Sequence, residues 1–251
     1  MDLQLKGKTA LVLAASKGLG KASALALSRE GADIVIGARN PDTLEATAAE
    51  IRQATGGNVL PIPIDVTNAA DAQNFIDKAA NTFGRIDILV NNAGGPPFGA
   101  FESFDEQAWQ KAFELNLLSV TRLVRLTVPH MRKTGSGRII NITSLSVKTL
   151  LPGSVLSTSM RLGIVGMAKL LSTELGPDNI TVNNIAPGLI LTDRVKELGG
   201  NIDDKVKNIP VRRIGQPEEL AALVSFLASP LAGYITGATI PIDGGAIQAI
   251  Y

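Results

Sequence analysis

Apolar runs of five or six residues alternate with longer stretches of helical pattern along nearly the whole chain, and this alternation limits the fold more than any other feature. TALVL at Thr9–Leu13 leads into a turn, Ala14–Gly20, and a helical segment reaching Arg29. Ile34–Ala38 precedes a helix from Pro41 to Thr55, with Pro41 in its first turn and Gly56-Gly57 at its stop. Val59–Ile64 and Ile86–Val90 flank a helix at Ala69–Phe83, and a long helical stretch runs from Asp105 to Lys133, ending at Gly135. Arg138–Thr143, Thr181–Ala186 and Ala238–Ile242 are the remaining strand-like runs, with helices at Val155–Leu175 and Pro217–Ala228 between them. Strands that read as continuous apolar runs, separated by helices, predict a doubly wound α/β fold: a parallel sheet with helices on both faces.

The chain of 251 residues is 45% hydrophobic, enough for one large core, and neither an internal repeat nor a linker interrupts it. Residues 1–251 are therefore expected to form a single domain. The least regular segment, Asp193–Pro210, is rich in charge and glycine and is expected to be a mobile substrate loop. A formal net charge of +1, with no Lys/Arg run beyond two residues, argues against a nucleic-acid footprint. The lack of cysteine excludes disulfides and thiol chemistry, and a single histidine rules out a histidine-rich metal site. No stretch has the length and apolarity of a membrane span, and Met1–Lys8 has no signal-peptide core, so a soluble, cytoplasmic protein is expected.

The turn after the first strand reads Ala14-Ala15-Ser16-Lys17-Gly18-Leu19-Gly20. A glycine-rich turn between a first strand and a first helix lets backbone N–H groups approach a pyrophosphate at the positive end of the helix, as in a Rossmann dinucleotide site. Further segments occur in order: Asp65-Val66 after the third strand, Asn91-Asn92-Ala93-Gly94 after the fourth, and Pro187-Gly188 with Ile190 and Thr192 after the sixth. Tyr234-Ile235-Thr236-Gly237 and Asp243-Gly244-Gly245 surround the last strand.

Together these motifs resemble the short-chain dehydrogenase/reductase family, in particular its 3-oxoacyl-acyl-carrier-protein reductases, over almost all of the chain. The resemblance implies that Ala14, Ser16, Lys17, Gly18, Leu19 and Gly20 border the pyrophosphate and ribose, and that Asp65 and Val66 contact adenine. It also implies that Asn92, Ala93, Gly94, Pro187, Gly188, Ile190 and Thr192 border the nicotinamide half. The family turn reads TGxxxGxG, and Leu13 and Ala14 stand for its threonine and first glycine. Alanine at a positive φ costs on the order of 1 kcal/mol, so cofactor affinity is expected to be weakened but kept. An NAD-selective site carries an acid after the second strand; here Ala38-Arg39 occupies that position. With Lys17, Arg39 offers charge-assisted bonds to a 2′-phosphate, which favours NADP(H).

The family works through Asn, Ser, Tyr and Lys. Asn116 and Ser144 match the first two, but the thirteenth residue after Ser144 is Ser157 rather than tyrosine, and Arg161 stands four further on for the lysine. These four positions are the expected catalytic set, and Arg161 also falls at the cofactor. A serine hydroxyl is shorter and far less acidic than a phenol, and arginine does not release a proton near neutral pH. Three readings follow: an atypical reductase that takes its proton from water or from Lys148, or acts on an activated substrate; a catalytically impaired NADP(H)-binding sensor, scaffold or partner subunit; or a pocket in which Arg161 anchors an anionic ligand. Gly95–Phe98 and Leu150–Pro152 are expected to line an apolar pocket for a small-molecule substrate. The resemblance further implies a homotetramer built through the helices Asp105–Lys133 and Val155–Leu175 and the last strand. His130 is expected to complement a helix end and Trp109 to pack in a core or interface.

Overall fold

The structure is a computed structural model describing residues 1–193, 195, 204 and 206–248. Seven strands form one sheet: β1 (Thr9–Leu13), β2 (Asp33–Ala38), β3 (Val59–Pro63), β4 (Ile88–Asn91), β5 (Gly137–Ile142), β6 (Ile180–Pro187) and β7 (Thr239–Ile242). Their spatial order is β3-β2-β1-β4-β5-β6-β7 and every pairing is parallel. The direction of strand addition reverses between β1 and β4, and the crevice at such a switch point is where doubly wound sheets bind ligands.

The helices are α1 (Gly18–Arg29), α2 (Pro41–Thr55), α3 (Ala69–Phe83), α4 (Glu106–Phe113), α5 (Ser119–Thr134), α6 (Val155–Glu174) and α7 (Pro217–Ala228). Their ends follow from local chemistry. Asn40 caps α2 by accepting from the Thr43 amide, Asn68 caps α3, and Gly56, Gly84 and Gly135 stop α2, α3 and α5 in the left-handed region. The period-two alternation of strands divides the core. Ala10 and Val12 of β1 join Leu27, Leu44 and Leu220 on the face covered by α1, α2 and α7, while Leu11 and Leu13 join Phe75, Leu123 and Ile164 under α3, α5 and α6.

Three details depart from the sequence expectation. The stretch expected as one helix from Asp105 is split by a π-helical turn, Glu114–Leu118, which no Gly or Pro announces. β4 begins at Ile88 rather than Ile86, preceded by Asp87. Its buried carboxylate accepts the Thr9 N–H at 2.9 Å and both N–H groups of Arg85, at 2.7 and 2.6 Å. Ile64 falls outside β3. Of the expected mobile loop 193–210, only 193, 195, 204 and 206–210 are described, so that expectation falls largely outside the described residues. No described helix is long and apolar enough to cross a membrane.

A polar ladder runs across one row of the sheet. Asn91, Asn141, Asn184 and Thr239 are register partners across β4, β5, β6 and β7. The Asn91 amide donates to Asn141 at 2.9 Å, Asn141 to Asn184 at 2.9 Å, and Asn184 to the Thr239 hydroxyl at 3.1 Å. The chain of bonds thereby ties four adjacent strands in register.

Candidate active site at the carboxyl edge of the sheet

The turn after β1 takes the shape that close approach of an anion requires. Ala14 sits at φ 49° and Gly18 at φ 56°. A Cβ on Gly20 would lie 2.4 Å from the Ala14 carbonyl oxygen, so only glycine permits this contact of helix and strand. Lys17 is the N-cap of α1 but caps nothing with its side chain, and no acid lies in the first turn, so the helix presents its amino-terminal N–H groups without a protein carboxylate. Ser16 is fixed through its carbonyl, which accepts the Thr47 hydroxyl at 2.9 Å, and Leu19 packs against the α1 side of the core.

The loop after β6 folds over this turn. The Thr192 methyl lies 3.5 Å from where a Cβ of Gly18 would stand, and Asp193 lies 3.8 Å from the exposed Lys17 ammonium. Pro187 ends β6, and Gly188 passes so close to Asp243 that a Cβ there would approach its Cα to 2.8 Å. Ile190 is buried and bridges to Gly215.

At the ends of β2 and β3 the arrangement is more open. Arg39 is exposed. The Asp65 carboxylate is occupied by Thr67, whose hydroxyl and amide donate at 2.7 and 2.9 Å. Those bonds, with the Arg39 charge as a smaller contribution, hold the Asp65 carboxyl below its usual range. The Val66 carbonyl accepts from Arg122 at 3.1 Å.

Of the expected catalytic positions, Ser157 and Arg161 bond to each other, and Arg161 and Asn116 both reach the loop after β4. Asn116, buried in the π-helical turn, donates to the Gly94 carbonyl at 2.9 Å, while its own side-chain oxygen has no partner among the described residues. Arg161 is 6% exposed and Ser157 8%, which removes them from the surface. The Arg161 guanidinium donates to the Ile142 carbonyl at 2.9 Å, to the Ala93 carbonyl at 3.4 Å and to the Ser157 hydroxyl at 3.2 Å. Two side chains thus pin Asn92–Gly94 from below, and one of them also reaches the end of β5. Ser144 follows β5, and its hydroxyl accepts the Ser146 amide at 3.2 Å.

The residues expected to line an apolar pocket stand at the mouth of this region. The Gly99 amide donates to the Gly153 carbonyl at 2.9 Å, joining the two loops. Phe98 and Leu151 are partly exposed and Leu150 is 97% exposed, so Leu150 forms no enclosed wall. His130 closes α5 and Tyr234 precedes β7, which places both at the opposite, amino-terminal edge. Tyr251 lies outside the described residues. Trp109 makes an edge-on contact with the exposed Phe101. Sequence reasoning had no signal for the Thr47–Ser16 bond or the Gly99–Gly153 tie, since each depends on chain segments brought together only by the fold, nor for the π-helical turn, which no breaker residue marks.

The chain belongs to the short-chain dehydrogenase/reductase family: the family model described as enoyl-(acyl carrier protein) reductase matches residues 13–246. The particular likenesses are to several reductases. A 3-oxoacyl-[acyl-carrier-protein] reductase of a Synechocystis species is 39% identical over 97% of this chain and 98% of its own length. The crystal structure of YwfH, an NADPH-dependent reductase involved in bacilysin biosynthesis, matches with a TM-score of 0.94 at 31% identity, over 97% of this chain and 99% of that one. The L-sorbose reductase of Gluconobacter frateurii, solved with NADPH and L-sorbose, matches with a TM-score of 0.93 at 33% identity over the whole of both chains.

Proposed function

We propose that this chain is an NADP(H)-dependent oxidoreductase that transfers hydride to a carbonyl or activated small molecule, and that its usual tyrosine–lysine acid pair is replaced by Ser157 and Arg161. The observation that carries the nucleotide half is the turn after β1. Its close Gly20–Ala14 approach and uncapped α1 fit a pyrophosphate, and Lys17 and Arg39, with no acid at the end of β2, suit a 2′-phosphate. Reduced nucleotide, when bound, would supply hydride. Ser16, Lys17, Gly18, Leu19, Gly20 and Arg39 would hold its phosphates and ribose, and Asn92, Ala93, Gly94, Pro187, Gly188, Ile190, Thr192 and Arg161 its nicotinamide half. The NADPH-dependent neighbours support the same assignment.

The catalytic half rests on the bond between Ser157 and Arg161 and on the reach of Arg161 and Asn116 to the loop after β4. Ser144 would hold a substrate oxygen, and Asn116 and Arg161 would position the loop above. A second reading, a nucleotide-binding sensor or partner subunit with impaired chemistry, is favoured by the bonds Arg161 makes to protein carbonyls. Assembly as a cytoplasmic homotetramer is in keeping with the outward side of α6, where Leu162 and Leu170 are exposed. Fluorescence titration with NADPH and NADH tests the first half: NADPH should bind at least ten-fold more tightly, and Lys17→Ala with Arg39→Ala should erase the difference. Equal affinities in the unaltered protein would refute the NADP(H) assignment. NADPH oxidation with carbonyl substrates separates enzyme from sensor.

A further inference from the structure

In a doubly wound sheet the residue that meets the adenosine ribose of a dinucleotide follows β2. This chain has Arg39 there, and β3 is the next strand outward. The segment that follows β3, residues 65–68, stands beside that position. The Ile64 amide donates to the Ala38 carbonyl at 3.0 Å, and the Arg39 charge acts on the Asp65 carboxyl. Part of the segment's shape is set locally. The Asp65 carboxylate accepts the Thr67 hydroxyl and amide, and the Asn68 amide returns to the Asp65 carbonyl at 2.9 Å. Asp71, in the first turn of α3, accepts the Asp65 amide at 3.0 Å.

The other tie comes from far along the chain. Arg122 of α5 is half-buried, and one of its guanidinium nitrogens donates to two successive carbonyls, Val66 at 3.1 Å and Thr67 at 3.2 Å. Among the described residues it is the one side chain from beyond α3 that hydrogen-bonds to 65–68. A guanidinium keeps its charge and its donor directions, so it holds both carbonyls in one geometry. In the π-helical turn just before α5, Asn116 donates to the Gly94 carbonyl. One continuous helical stretch therefore braces the segment after β3 and the loop after β4.

We propose that Arg122 is a positioning residue for the adenosine half of the nucleotide: by holding the Val66 and Thr67 carbonyls it keeps 65–68 in the shape that receives the base. The inference rests on the reading of the chain as an NADP(H)-dependent oxidoreductase. In this role Arg122 touches no nucleotide and acts through the backbone of Val66 and Thr67. Without the tie, the receptive shape is a smaller fraction of the free protein, and the apparent affinity falls by that fraction. The nicotinamide end is held by other loops and keeps its surroundings.

The test uses the full chain with two probes: NADPH, and adenosine 2′,5′-bisphosphate, which carries the adenosine half alone. Arg122→Gln should weaken both by about ten-fold, the lower end of what a hydrogen bond from a charged group contributes. The emission maximum of protein-bound NADPH at saturation, which reports the nicotinamide surroundings, should not move. Arg125→Gln removes a charge from an exposed position of the same helix and should leave both affinities unchanged, which separates bracing from the general attraction of a cation for phosphate. Hydrogen exchange on the unaltered protein gives a reading that no folding defect can obscure: adenosine 2′,5′-bisphosphate should slow exchange in the peptide that contains 65–68. The inference is overturned by unchanged affinities in Arg122→Gln, by an equal loss in Arg125→Gln, or by a loss accompanied by shifted NADPH emission, which would mean a general structural role. It is also overturned if NADPH binds the unaltered protein and exchange at 65–68 does not slow. If the unaltered chain binds no NADPH, the oxidoreductase reading fails, and this inference with it.

Discussion

Replacing Asn141 by leucine probes the polar ladder that ties β4, β5, β6 and β7. The side chains of Asn91, Asn141 and Asn184 are 2%, 1% and 1% exposed, so water cannot replace a lost partner. Asn141 is in the middle: it accepts from Asn91 and donates to Asn184. Asn141→Leu therefore leaves a buried donor and a buried acceptor unpaired, at about 1–3 kcal/mol each, or roughly 2–6 kcal/mol in total. Asn91 is at the end, and its own oxygen already lacks a partner among the described residues. Asn91→Leu strands only the Asn141 oxygen and removes a group that was already unpaired, so its cost falls to about 0–3 kcal/mol. Both variants gain the same apolar side chain, and that gain cancels in the comparison. Guanidinium denaturation of the two variants at one protein concentration, with unchanged slopes, gives the difference directly. Equal midpoints, or a neutral Asn141→Leu, would refute the idea that the ladder is held by its interior bonds.

Two further outcomes follow from the structure. Ala14→Gly relieves a positive φ that alanine tolerates poorly, and should stabilise the chain by about 0.5–1 kcal/mol, a rise in Tm of about 1–4 °C, with NADPH affinity unchanged or tighter; a lower Tm would show that Ala14 is unstrained. Asp65 is held below its ordinary value of 3.8 chiefly by the Thr67 hydroxyl and amide, so its contribution to stability is complete above that value and is lost as the pH falls through the depressed folded value. Thr67→Ala should move the Asp65 carboxyl titration, followed by NMR, upward toward 3.8; no movement would mean that the hydroxyl is not what holds it.

Much of this molecule could be read from its pattern because the relevant physics is local. Apolar runs buried on both faces identified β1, β2 and β5, and Pro41, Gly56 and Gly135 marked helix ends through their own backbone preferences. Ala14, Gly18 and Gly20 were found at one turn because spacing along the chain is also spacing in that turn. The rest was invisible for a common reason. The bonds that tie the Asp87 carboxylate to Thr9 and Arg85 left no mark in the pattern, and the π-helical turn around Asn116 has no breaker residue to announce it. The motif Asp65-Val66 gave no sign that the Asp65 carboxylate accepts from the Thr67 hydroxyl and amide. The burial of Ser157 and Arg161 likewise could not be distinguished from a surface pair by their spacing of four.

The bond between those two residues bears on the proposal that they stand for the family's tyrosine and lysine. Arg161 reaches the Ile142 carbonyl, the Ala93 carbonyl and the Ser157 hydroxyl at once because a guanidinium is planar and carries donors in several fixed directions. A lysine ammonium at the same place is a compact charge on a flexible stem and could not reproduce all three bonds in one fixed geometry. On that proposal the exchange would trade a group that can tune a neighbouring acid for one that braces the loop after β4 against the end of β5 and keeps its charge at every working pH. With no acid beside it, tuning would have no value, whereas bracing would still align Ala93 with the end of β5. Restoring tyrosine alone at 157 would remove the hydroxyl that meets Arg161 without supplying the ammonium a phenol needs. The two positions are thus expected to act as one unit, with the double change Ser157→Tyr and Arg161→Lys raising ketone reduction more than the product of the two single effects. Purely multiplicative rates would mean that the pair, though bonded, is not coupled in the chemistry.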